Sequence, residues 1–73
     1  MSKLPVLGAR EIIAALGRAG WVPSEGSKHT RLEKEGHPNI LTVPRHKGDL
    51  ARGTVKSLLR GAGLTADEFC ELL

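Results

Sequence analysis

Apolar residues along this chain switch period, and each switch marks an element. Ile12, Ile13, Leu16 and Ala19 recur at helical spacing, with Arg10, Ala14 and Arg18 directed elsewhere. The spacing predicts a first helix after an extended lead-in, Leu4-Pro5-Val6-Leu7, where Pro5 biases Leu4 away from helix. Gly8 is an acceptable N-cap. Glu11 can reach back to its N–H as half of a capping box, glycine having no side-chain oxygen to supply the other half. Gly20 ends the helix as its C′ residue. Gly17, inside it, costs roughly 1 kcal/mol against alanine, which suggests either a close backbone approach or mere tolerance.

The period then falls to two. Trp21-Val22 opens a strand that Pro23 marks as an edge, and Ser24-Glu25-Gly26-Ser27 turns the chain. From His29 to Glu35, Thr30 and Leu32 point to one face, while His29, Arg31 and Glu33 point to the other. Gly36-His37-Pro38-Asn39 supplies another turn, and Ile40–Val43 reads as a third strand ended by Pro44. Helical spacing returns with Val55, Leu58, Leu59 and Ala62, terminated by Gly61 and Gly63. The outer side of this helix carries Arg52, Lys56 and Arg60 at four-residue intervals. Thr65-Ala66-Asp67-Glu68 is a full capping box, so a short third helix follows, with Phe69, Leu72 and Leu73 packing back beside Cys70. The result is an α+β chain of order α-β-β-β-α with a short C-terminal helix. Two helices bury their stripes on one face of a three-stranded antiparallel sheet and leave the other face wet. That is the arrangement of a double-stranded RNA-binding domain.

Composition narrows the picture. Seventy-three residues leave room for one domain, 1–73, with burial of only roughly 60–65% of the unfolded chain's surface. One cysteine cannot make an internal disulfide, and neither a signal peptide nor a membrane span is legible, so the expectation is a cytoplasmic protein with no membrane partner. Charge is uneven. The net +3 arises from +1 over residues 1–27, +5 over 28–60 and −3 over 61–73. A cationic middle can neutralise phosphates or simply solubilise the surface. Trp21 and Phe69 are the only aromatic residues besides histidine and are better explained as core, so a base-stacking sheet is not expected.

Leu4-Pro5-Val6, Gly20-Trp21, Gly26-Ser27-Lys28-His29-Thr30, Thr42-Val43-Pro44-Arg45-His46, Gly53-Thr54-Val55-Lys56 and Gly63-Leu64 occur in an order that resembles the HicA family of mRNA interferase toxins. The resemblance covers nearly the whole chain. It implies a dsRNA-binding-domain-like fold, endoribonuclease cleavage of mRNA, one catalytic histidine in the glycine-led turn, and neutralisation by a HicB-type antitoxin protein. The catalytic position falls on His29. Lys28 stands between the Gly-Ser pair and the histidine, and Leu32 occupies a place where many members carry an aromatic residue.

The residue types suit that chemistry. Cleaving RNA through its own 2′-hydroxyl requires a base to take the proton and cations to support charge on phosphorus. Imidazole, with an unperturbed pKa near 6.5, is the side chain suited to the first task near neutrality. Lys28 and Arg31 could hold the phosphate. Arg45, His46, Lys47, Arg52, Lys56 and Arg60 are the candidate RNA-binding contacts; His46 could equally be a turn residue bonding backbone, and the arginines and lysines a solvated face or the surface an antitoxin covers. His37, before Pro38, reads as loop. The three histidines lack the spacing and carboxylate partners of a zinc site, so neither metal nor other cofactor is expected. Without the resemblance, a lone strand histidine is more often an ordinary surface residue, and the alternative is a non-catalytic RNA- or DNA-binding module. An inactive relative that serves only as a binding partner is a third reading.

Overall fold

The computed structural model describes residues 4–26, 28–45 and 48–73. In chain order it contains α1 (Ala9–Arg18), β1 (Val22–Glu25), β2 (His29–Glu33), β3 (Leu41–Pro44), α2 (Arg52–Ala62) and α3 (Ala66–Glu71). The strands form one antiparallel sheet in the order β1-β2-β3. This is the α-β-β-β-α order, with its short C-terminal helix, that the hydrophobic pattern predicts.

Two hydrogen bonds fix the parity of the sheet. Gly26 N–H donates to the His29 carbonyl at 2.9 Å, and Arg45 N–H donates to the Lys28 carbonyl at 3.0 Å. Because directly opposed antiparallel residues alternate between bonded and non-bonded pairs, Ser24/Arg31 and Thr30/Val43 are bonded pairs, whereas Pro23/Leu32 and His29/Pro44 are not. Pro23 and Pro44 therefore stand where the ladder asks no N–H of them. That is why Pro44 lies inside β3 rather than ending the strand at Val43, and β1 likewise runs on through Ser24 and Glu25, which the sequence reads as turn.

One face of the sheet is dry. Leu32 and Val43 are fully buried with Leu41, and Trp21, Ile12, Leu16 and Phe69 close over them from the helices and their connections. Fully burying a side chain of this size is worth about 1.5–3 kcal/mol each. The lead-in joins this core through Leu4 and Leu7 and is tied to the segment after β3, Leu50 N–H donating to the Leu7 carbonyl at 2.9 Å.

The helix ends follow their local chemistry. Glu11 accepts from Gly8 N–H at 3.4 Å, and Thr65 and Glu68 bond one another's backbone at 3.1 and 2.8 Å. Gly20 and Gly63 both have positive φ, the left-handed conformation in which side chains are strained. In the helical layer three details differ from the sequence expectation or decide it. Gly61 lies within α2 rather than ending it, with its missing side chain admitting Leu41. A side chain at Gly17 would meet nothing within 4 Å, so no backbone approaches there. Leu73 is 47% exposed instead of packed, because α3 stops at Glu71 and Leu72 makes the last apolar contact.

Candidate functional site

The turn between β1 and β2 is shaped by Gly26. A Cβ built there would stand 2.9 Å from the His29 carbonyl oxygen, nearer than real Cβ atoms come, so the close 26/29 pairing requires glycine. The same pairing sets the parity of β2. Thr30 and Leu32 go under the helices, and His29 and Arg31 are left exposed on the open face.

Arg45 fastens the turn from the β3 side. Its backbone N–H bonds the Lys28 carbonyl, and its guanidinium donates to the Gly26 carbonyl. The residue before His29 and the residue paired with it are thus both held by one arginine. Opposite His29 on β3 is Pro44, and Thr42 is opposite Arg31.

Gly26, Lys28, His29, Arg31 and Thr42 line a shallow, open hollow of about 280 Å³. Two cations flank the imidazole. Among the described residues no side chain is hydrogen-bonded to the His29 ring, and neither Lys28 nor Arg31 is held in an ion pair. The hollow therefore presents an unengaged base and two unengaged cations to solvent. Such a set can receive a phosphodiester, with the charge on lysine and arginine and the proton acceptor beside it.

The other predicted contacts fall elsewhere. Arg52, Lys56 and Arg60 share a second hollow of about 490 Å³ with Leu4, Leu59, Leu64 and Ala66, on the outer side of α2. It has no lining residue in common with the His29 hollow. Arg45 borders a third, beside Gly8, Arg10, Thr30 and Asp49 at the start of α1. His46, Lys47 and Ser27 lie outside the described residues.

His37 is a structural residue. Its ring packs against Trp21 with centroids 4.9 Å apart at 59°, and its Nδ1 accepts from Asn39 N–H at 3.3 Å. Sequence reasoning placed it in a loop but gave no sign of the aromatic contact, which arises because Trp21 is buried at the end of α1 just where the β2–β3 connection returns. Among the described residues no group of three or more histidine, cysteine, aspartate or glutamate side chains is placed to hold a metal ion. None of their helices is long and apolar enough to cross a membrane.

Comparison with known proteins adds one finding. A family model described as the HicA toxin of bacterial toxin-antitoxin matches residues 9–64, which run from the first residue of α1 through α2 and its glycine stop. No curated protein matches the chain.

Proposed function

Because the chain belongs to the HicA family of toxins from bacterial toxin–antitoxin systems, we propose that it is an endoribonuclease, an mRNA interferase, whose one catalytic histidine is His29. The observation that carries this reading is the exposed imidazole between Lys28 and Arg31 at a turn that glycine and Arg45 hold in place.

In the proposed reaction the RNA backbone enters the hollow on the open face of the sheet. Lys28 and Arg31 hold the phosphate oxygens, and the His29 ring takes the proton from the neighbouring 2′-hydroxyl. The freed 2′-oxygen attacks phosphorus, and the 5′-oxygen leaves and takes a proton from solvent, giving a 2′,3′-cyclic phosphate and a 5′-hydroxyl. No metal takes part. General base catalysis of this kind contributes about 10²- to 10⁴-fold, a modest turnover that suits a protein acting on many messages over time. Arg52, Lys56 and Arg60 on α2 hold flanking backbone, joined by His46 and Lys47, while Arg45 serves the turn. A HicB-type antitoxin is the neutralising partner, and both act in the cytoplasm.

The second reading is a nucleic-acid-binding module without catalysis. It is favoured by one observation, the absence among the described residues of any group hydrogen-bonded to the His29 ring that would orient it. Product chemistry separates the two. An RNA carrying a single 2′-deoxynucleotide at the scissile position should resist cleavage, and its all-ribose counterpart should yield fragments with cyclic phosphate and 5′-hydroxyl ends. Fragments ending in 3′-hydroxyl and 5′-phosphate, or equal cutting of both substrates, would remove the proposed role of His29; binding with no cutting would leave the second reading.

A further inference from the structure

Thr42 carries a backbone donor and acceptor that the sheet leaves unused. Because Arg31/Thr42 is a non-bonded pair, the Thr42 N–H and carbonyl turn away from β2, toward the edge of β3. Along this edge, between β3 and α2, runs a hollow of about 490 Å³, a size that small ligands occupy. Asn39, Ile40 and Thr42 form its strand side, and Thr54, Ser57 and Leu58 form its helix side. The Asn39 amide nitrogen donates to the Gly61 carbonyl at 3.0 Å, which ties the two sides together and leaves Oδ1 as the acceptor Asn39 has to offer. Among the described residues the hydroxyls of Thr42, Thr54 and Ser57 make no hydrogen bond.

Two features point to what this hollow takes. Among the four hollows described it is the one with no charged lining residue, so it offers nothing to a phosphate or a carboxylate. Donors and acceptors stand instead beside Leu58 and Ile40, the latter 47% exposed, and that mixture suits a flat, neutral heterocycle. The hollow is also continuous with the one around His29. Thr42 lines both, and no other pair of the four hollows shares a residue.

We propose that the hollow between β3 and α2 is a nucleobase subsite. When a phosphate of the RNA sits at His29, the base of an adjoining nucleotide passes over Thr42 and lodges between Ile40 and α2. The Thr42 N–H and carbonyl meet the edge of the base, and Asn39 Oδ1 accepts from its exocyclic amine. Adenine, cytosine and guanine carry such an amine; uracil, with carbonyls on both sides of its single N–H, sets an acceptor against Oδ1 and is disfavoured. The cations beside His29 thus hold the backbone, and this neutral hollow supplies sequence preference. The register rests on the proposed cleavage at His29, whereas binding of the base requires no cleavage.

The test is binding of short oligouridines, and of the same oligomers with one central adenine, cytosine or guanine, to His29→Ala, which separates recognition from cutting. The substituted oligomers should bind about 5- to 10-fold more tightly than oligouridine, and replacing adenosine by purine riboside, which lacks the amine, should remove the gain. Two further substitutions in that background locate the effect. Asn39→Ala removes the acceptor, and Ser57→Leu fills the hollow with an uncharged side chain at an exposed helical position. Each should bring the ratio of affinities close to one. Circular dichroism checks both folds, and should Asn39→Ala unfold, Ser57→Leu decides alone. Equal affinity for all the oligomers, or a preference that persists in the folded variants, would overturn the subsite. A preference that behaves as expected in a chain whose wild type cuts no RNA would support the subsite and count against the His29 reading alone.

Discussion

At the scale of single residues, the account turns on how the imidazole of His29 is held. The ring itself makes no hydrogen bond among the described residues, so its position follows from the backbone beneath it: the Gly26/His29 pairing and the Arg45 clamp. Gly26→Ala forces a Cβ against the His29 carbonyl and must open that pairing. It should lower stability by about 1–3 kcal/mol, as overpacked sites do, and slow cleavage by up to about 10²-fold through misplacement of the base. A melting curve and a single-turnover rate on the same preparation read both effects. Arg45 makes a different prediction. If its guanidinium serves the turn, Arg45→Lys, which cannot reproduce the guanidinium's donor geometry, should reduce kcat while leaving RNA affinity and its salt dependence near wild type. An affinity loss with unchanged kcat would make Arg45 a phosphate contact instead.

Among the elements, the short α3 bears more weight than its length suggests. Phe69 is fully buried against the core, and Arg18 at the end of α1 donates to the Leu72 carbonyl at 2.6 Å, so α3 closes the end of the helical layer. Phe69→Ala should cost about 3–5 kcal/mol, a large share of the total for a chain of this size, and Thr65→Ala about 1 kcal/mol through loss of the cap. Urea denaturation with a common slope for all three proteins measures both. Much of this layer is legible in the sequence, because capping boxes and apolar stripes are local signals. The stripe Val55, Leu58, Leu59 and Ala62 and the box Thr65/Glu68 stand where the pattern puts them. What the pattern misses depends on neighbours far along the chain. Gly61 reads as a stop and is a packing site, since only the fold brings Leu41 against it. Gly17 reads as a contact or as mere tolerance, and the structure shows the second. In the site, alternation alone puts His29 and Arg31 on the open face opposite Leu32. The Arg45–Gly26 bond and the His37–Trp21 contact join residues too distant in sequence for any periodicity to show.

For the whole molecule, the question is how one small surface serves a long polyanion. Five of the cations fall into two hollows without a shared residue: Lys28 and Arg31 beside His29, and Arg52, Lys56 and Arg60 along α2. If both touch the same RNA, removing one α2 cation should weaken binding to all sequences alike and reduce the slope of log affinity against log salt by about 0.7 for a single strand, with kcat little changed. Filter binding of Lys56→Gln over a salt series measures that slope; a slope equal to wild type would detach α2 from the RNA path. The central claim is narrower, that the exposed imidazole at the glycine turn performs the cleavage. The most direct test is the rate at which purified wild-type chain and His29→Ala cut one RNA in the presence of EDTA. The account predicts cleavage by wild type that chelation leaves intact and a loss of at least about 10²-fold in the variant, with its fold and RNA binding retained; equal rates for the two proteins would contradict it.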